Sequence, residues 1–155
     1  MSSYIRRHFT QRGFTLLETV LSIAIILILA GLSIPVFYSF QAKNNVDLAS
    51  TMVAQSLRRA QALAEAVSGD ATWGVKVATN TITIFQGTSF ATRNISFDET
   101  LDFSQNLTVS GTSEFVFTKL YGFPQASGTL QLTSLQSNTR DTRILIVNEK
   151  GTVNY

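Results

Sequence analysis

A chain of 155 residues carrying a formal charge of +2 has room for one folded domain and an extension, but not for two separate cores. Of its 12 Lys and Arg, three (Arg6, Arg7 and Arg12) precede Phe14, leaving nine against 10 Asp and Glu. The pI near 9.2 therefore belongs to the start of the chain and gives the remainder no general attraction to nucleic acid. The absence of cysteine excludes disulfides, thiolate metal sites and cysteine nucleophiles, and the single histidine, His8, lies ahead of Gly13. A chain cut after Gly13 would lack the usual general base, so no catalytic residue, metal ligand or cofactor is expected.

Residues 1–13 are polar and basic. They lead into FTLLETVLSIAIILILAGLSIPVFYSF, a run over residues 14–40 in which Glu18 is the only charge. As a helix these 27 residues would measure about 40 Å, against a hydrocarbon core of about 30 Å. Arginines before the run, and Lys43 soon answered by Asp47 after it, place the N-terminus on the cytoplasmic side. Farther on, Val46, Ala49, Val53, Leu57, Ala60, Ala64 and Val67 recur every three or four residues with no Gly or Pro between them, which predicts an amphipathic helix over 41–68. Nothing interrupts the chain between the two segments, so a single helix over 14–67 is expected, ended by Ser68, Gly69 and Asp70.

From Ala71 the period changes to two. TWGVKV, TITIF, the region of RNISF, NLTV, EFVFTKL, TLQLTSL, RILIVNE and TVNY are rich in β-branched and aromatic residues and predict antiparallel strands over 71–155. Polar connections at 78–80, 110–112, 122–128 and 149–151 separate several of them. The fold class is α+β: a long N-terminal helix whose second half packs on an antiparallel sheet. The expected divisions are 1–13, 14–40 and a head over 41–155.

The segment RGFTLLETVLSIAIILILAGLSIP resembles the cleavage and assembly region of type IV pilins and type II secretion pseudopilins. The resemblance implies that a membrane-embedded aspartic protease, the prepilin peptidase, cuts between Gly13 and Phe14, N-methylates Phe14, and leaves Glu18 as the assembly carboxylate. Its implied partners are other pilin or pseudopilin subunits, the peptidase, an inner-membrane assembly platform and the lipid bilayer. The implied location is a single pass through the cytoplasmic membrane, followed by a periplasmic or extracellular filament.

The chemistry supports these roles. An ionised carboxylate inside a membrane helix costs about 2.5 to 3.5 kcal/mol on insertion scales, so Glu18 needs a partner. A new amine at Phe14, in its own chain or a neighbour, supplies one, and an intersubunit pair would set axial register. Pro35 lacks an amide donor and crowds the carbonyl of Gly31, which predicts a kink or local melting there. The competing reading is an ordinary signal anchor carrying a binding domain, which leaves Glu18 unexplained. Signal-peptide cleavage near Gly31-Leu32-Ser33 is disfavoured because the apolar run continues past it.

LRRAQALAEAV, TWGVKV, TITIF and RILIVNEKGTV resemble the head of H-type minor pseudopilins and related minor pilins, which implies a long helix on antiparallel strands. Some minor pilins in this group bind DNA, and Arg58, Arg59, Arg140, Arg143 and Lys150 are the residues that would form such a strip. Glu65 and Asp141 dilute that charge, and the arginine-rich tail motif of the DNA binders is not recognisable. Trp73, Phe85, Phe90, Phe97, Phe103, Phe115, Phe117, Tyr121 and Phe123 are expected mostly in the core, with Tyr121-Gly122-Phe123-Pro124 as a turn whose exposed part contacts a neighbour. Asp98, Glu99 and Asp102 are the one acidic group to weigh for Ca²⁺ or hydrolysis, and a solvated acidic loop is the simpler reading.

Overall fold

The structure, a computed structural model, describes residues 13–104, 106–135 and 141–154, with the backbone alone described for 32–36. It divides into two units, Met1–Phe37 and Tyr38–Tyr155. Helix α1, Leu16–Glu65, is assigned without a break across that division, and the anticipated α+β architecture is what forms.

In the second unit the apolar stripe does what its spacing predicts. Val46, Ala49, Val53, Leu57, Ala60 and Ala64 are all buried, joined by Ala42 and Ala54. The many alanines leave short side chains along this face, which lets the strands approach the helix closely. Val67 departs from the prediction. The last regular helical bond is Ala66 N to Ala62 O; Val67 N then bonds Ala64 O, and Val67, Gly69 and Asp70 all take left-handed φ values of 53°, 66° and 53°. These turns, with Ser68–Asp70 forming a 3₁₀ turn, reverse the chain, and the Trp73 indole N–H donates to Ser68 O at 2.9 Å.

Eight strands follow: β1 Trp73–Val77, β2 Thr81–Gln86, β3 Asn94–Asp102, β4 Leu107–Gly111, β5 Glu114–Phe117, β6 Gly128–Ser134, β7 Thr142–Val147 and β8 Val153–Asn154. They form two antiparallel sheets rather than the single one expected, ordered β3-β2-β1-β5 and β4-β6-β7-β8. The division comes from β4, which leaves its neighbour in sequence, β5, to pair with β6, while β5 joins β1. Alternate residues of both sheets enter one core with the helix: Val75, Val77, Ile82, Ile84, Phe115 and Phe117 from the first, and Leu107, Leu130, Leu132, Leu145, Val147 and Val153 from the second. An ion pair fastens α1 to each sheet, Arg59 to Glu99 of β3 and Asp47 to Arg143 of β7.

The aromatic residues are less buried than their number suggests. Trp73, Phe85, Phe115 and Phe117 are buried, Phe90 and Phe103 are intermediate, and Phe97, Tyr121 and Phe123 are exposed. Phe85 belongs to a separate cluster: it meets Phe90 edge to face at 5.6 Å, and the Arg93 guanidinium lies 3.8 Å from the centre of the Phe90 ring. Gly74 makes room for it, because a Cβ there would stand 2.5 Å from the Phe85 ring and 2.8 Å from Phe115 O. Gly74→Ala is expected to destabilise the head by about 1–3 kcal/mol through overpacking. Urea unfolding of the detergent-solubilised chain, followed by the fluorescence of its single tryptophan, checks this.

Candidate assembly site

The start of α1 is built from side chains that satisfy the helix backbone. Gly13, Phe14 and Thr15 lie outside the helix and are exposed, Phe14 at 78%. The Thr15 hydroxyl accepts from Glu18 N at 3.3 Å, and Thr15 O receives Thr19 N at 3.1 Å. Thr15-Leu16-Leu17-Glu18 is therefore a T-x-x-E capping arrangement, with Glu18 in the first turn, where the positive end of the helix dipole favours an acid. Thr15 is the functional residue that the sequence reading passed over, although the spacing from Thr to Glu just before an apolar run was there to find. Thr19 and Ser22 turn their hydroxyls onto Leu16 O at 2.8 Å and Glu18 O at 2.7 Å, so neither presents an unmet polar group to apolar surroundings. The Glu18 carboxylate itself is exposed and has no partner among the described residues.

Beyond the first turn the helix is apolar on every side. Val20, Leu21, Ile23, Ile25, Ile26, Leu27, Ile28 and Leu29 are each at least half exposed, and a full circuit of the helix passes through them. Among the described residues no helix is long and apolar enough to cross a membrane. The part of the run with described side chains, residues 16–31, would extend about 24 Å, short of a hydrocarbon core of about 30 Å. A Cβ on Gly31 would meet nothing within 4 Å among the described residues. The helix assignment continues through Gly31 and Pro35, and the Pro35 side chain lies outside the described residues.

The prokaryotic N-terminal methylation motif matches residues 9–34. The chain carries a prepilin-type start. Among curated proteins none matches the sequence. Among solved structures the minor pseudopilin EpsH from the Type 2 Secretion System of Vibrio cholerae superposes with a TM-score of 0.53 at 13% identity, over 71% of this chain and 94% of that one. At that identity the likeness is one of fold, a pseudopilin-like architecture behind an N-terminal methylation motif.

Two of the basic residues singled out in the head are held in ion pairs. Arg59 makes a two-pronged contact with Glu99, Nε and Nη2 each at 2.6 Å from a carboxylate oxygen, and Arg143 reaches Asp47 at 2.7 Å. Arg58 and Lys150 are exposed, while Arg140 lies outside the described residues. The acidic trio is not a loop. Asp98, Glu99 and Asp102 all belong to β3, where neighbouring residues face opposite sides; Asp98 pairs with Arg93 at 2.8 Å and Glu99 with Arg59. Among the described residues no group of acidic or histidine side chains is placed to hold a metal ion.

Hydrogen bonding from Arg59 lowers the Glu99 pKa despite an opposing effect of burial, and Lys119 does the same to Asp70 across 2.6 Å. A carboxylate whose folded pKa is depressed adds stability above its unfolded value, roughly 4.3 for Glu, and loses it as pH falls through the folded one. Because both pairs are solvent-exposed, their contribution is small and weakened by salt. Glu99→Gln is expected to flatten the fall of the melting temperature below about pH 4.3 while changing it little in 1 M salt. Thermal melts over a pH series at two ionic strengths measure both effects.

Proposed function

We propose that this chain is a structural subunit of a type IV pilus-like filament or type II secretion pseudopilus. The observation that carries this reading is the apolar helical surface of residues 20–29, exposed on all sides in the single chain. Such a surface needs lipid before assembly and the helices of other subunits afterwards. A generic anchor would need only the lipid; the prepilin-type motif and the carboxylate at Glu18 favour the reading with both states.

Prepilin peptidase would cut between Gly13 and Phe14. That bond lies ahead of the helix, and a Cβ on Gly13 would meet nothing within 4 Å among the described residues, which supports access by a protease. The cut would create a cationic amine at Phe14, one residue before the Thr15 cap and beside the positive end of the helix. Two positive features then adjoin the Glu18 carboxylate. With no partner among the described residues, it is able to meet the N-methylated Phe14 amine of an adjacent subunit, fixing the axial offset between helices. Gly31 and Pro35 would be where the helix yields on packing, Pro35 through its missing donor. Insertion would begin as a single pass with the N-terminus in the cytoplasm, and extraction would proceed through an inner-membrane platform.

The fold likeness to a minor pseudopilin supports a second reading, in which the subunit occurs in few copies, at initiation or at a tip. Counting its copies relative to the other subunits in purified filaments separates the two. Intact-mass analysis is expected to find a mature chain that begins at N-methylated Phe14, and a functional chain still carrying residues 1–13 would sink the proposal. Glu18→Ala is expected to leave that processing unchanged while filament incorporation falls about 10- to 100-fold, as for a lost charge-assisted hydrogen bond of about 1.5–3 kcal/mol. Equal incorporation of variant and wild type would remove Glu18 from the mechanism.

A further inference from the structure

The connection from β5 to β6 holds an apolar knob with no cover. Leu120, Tyr121 and Phe123 are 62%, 69% and 49% exposed, and the Tyr121 and Phe123 rings stack at 5.9 Å. Their position is fixed from several directions. Leu120 N donates to Ala64 O at the end of α1, Gly122 N to Thr118 O, Thr118 N to Phe123 O and Gln125 N to Val116 O, and Pro124 bridges to Phe117. Leu120 is held at φ 75°, a left-handed conformation that is unfavourable for a leucine and persists only where its surroundings impose it. Gly122, at φ 62°, lies so close to Glu65 that a Cβ would collide with its side chain. A strained, tightly pinned loop whose effect is to hold two stacked aromatics and a leucine in water is poorly explained by stability of the single chain. Rigid aromatic anchors of this kind dominate binding energy where proteins meet.

The same head contains a receptor of matching character. Between α1 and the sheet runs a groove of about 340 Å³, with Leu101 on the sheet side over the fully buried Ile84, Met52 on the helix side, and the Arg59–Glu99 pair along its rim. In the sheet order β3-β2-β1-β5 the groove borders one edge strand, and the knob follows the other. Three strand spacings of about 4.8 Å separate those edges. A knob and groove on opposite edges can join copies head to tail, the geometry that generates rings or helical arrays.

We propose that the Leu120–Tyr121–Phe123 knob of one copy seats in the groove between Met52 and Leu101 of the next. The Tyr121 hydroxyl would lie at the rim, where Glu99 can accept from it or Arg59 donate to it. Each aromatic ring buries roughly 150–250 Å², so the contact falls short of the roughly 800 Å² per partner of a stable independent complex. It therefore acts between copies already held side by side, where effective concentration is high. This rests on the filament reading above for that proximity, and names a head contact that the reading does not contain.

The absence of cysteine makes the test clean. Full-length Tyr121→Cys/Leu101→Cys, expressed in cells that process it and then oxidised, is expected to give a ladder of disulfide-linked multimers on non-reducing gels, while each single variant stays monomeric. Met52→Cys replaces Leu101→Cys if the latter disturbs β3. Dimers from Tyr121→Cys alone would mean a symmetric knob-to-knob contact and overturn the proposal, as would linkage of Tyr121→Cys to a different protein. Filament incorporation is read on the same samples. Filaments without a ladder defeat the head contact and leave the filament reading standing, whereas a ladder among unassembled membrane copies keeps the contact and defeats the filament.

Discussion

The constraint behind this molecule is that the first half of its long helix leaves its apolar side chains exposed on every side. A helix bearing valine, leucine and isoleucine around its whole circumference cannot be satisfied by one sheet, which covers a single face. The second half shows the contrast. There the apolar residues narrow to a stripe of Val46, Ala49, Val53, Leu57, Ala60 and Ala64, and two sheets cover it completely. One continuous element thus changes from a helix that buries a face to a helix that must be surrounded. The change occurs between Phe40, 73% exposed, and Ala42, fully buried.

Surrounding alone does not specify register, since apolar side chains slide past one another at little cost. The polar residues at the start of α1 are where specificity can enter. Thr15, Thr19 and Ser22 satisfy themselves against nearby backbone and therefore exert no demand on a neighbour. Glu18 differs: its amide is capped, while its carboxylate has no partner among the described residues. In a medium of low dielectric a lone carboxylate is costly wherever it has no countercharge, so it disfavours every offset between helices except those that supply one. The same reasoning explains why such an acid stands in the first turn. The helix dipole there offsets part of the cost before any partner arrives.

Most of the architecture was legible because periodicity is a direct readout of burial. The α1 stripe and all eight strands follow from spacings of three to four and of two, and only their ends moved: α1 stops at Glu65 rather than Val67, and β3 runs to Asp102. What the pattern could not reveal was partnership. Alternation along NLTV and EFVF says that each is a strand, not that β4 leaves β5 for β6 and so divides one sheet into two. The charged residues were hidden for the same reason. Glu99 looks like one of three neighbouring acids until the fold sets it against Arg59, forty positions away. Aromatic content misled, because a count of rings does not show that Tyr121 and Phe123 sit on a loop. At the assembly segment the residue types were readable in order, but the cap at Thr15 needed the helix start to be located within one residue.

The two exposed apolar features of the chain differ in kind, and that difference bears on how a subunit could be both stored and assembled. The helical surface of residues 20–29 is broad and its one hydroxyl, Ser22, is satisfied by the helix backbone, so it gains nearly as much from lipid as from protein, and moving it between the two is close to neutral in hydrophobic terms. Its transfer must then be decided by contacts that lipid cannot imitate. A carboxylate seeking an amine is one of these. A stacked aromatic pair on a strained loop is another, since its shape is fixed before any partner arrives and little further ordering is needed on contact. Weak, directional interactions added to a nearly balanced exchange can tip it either way.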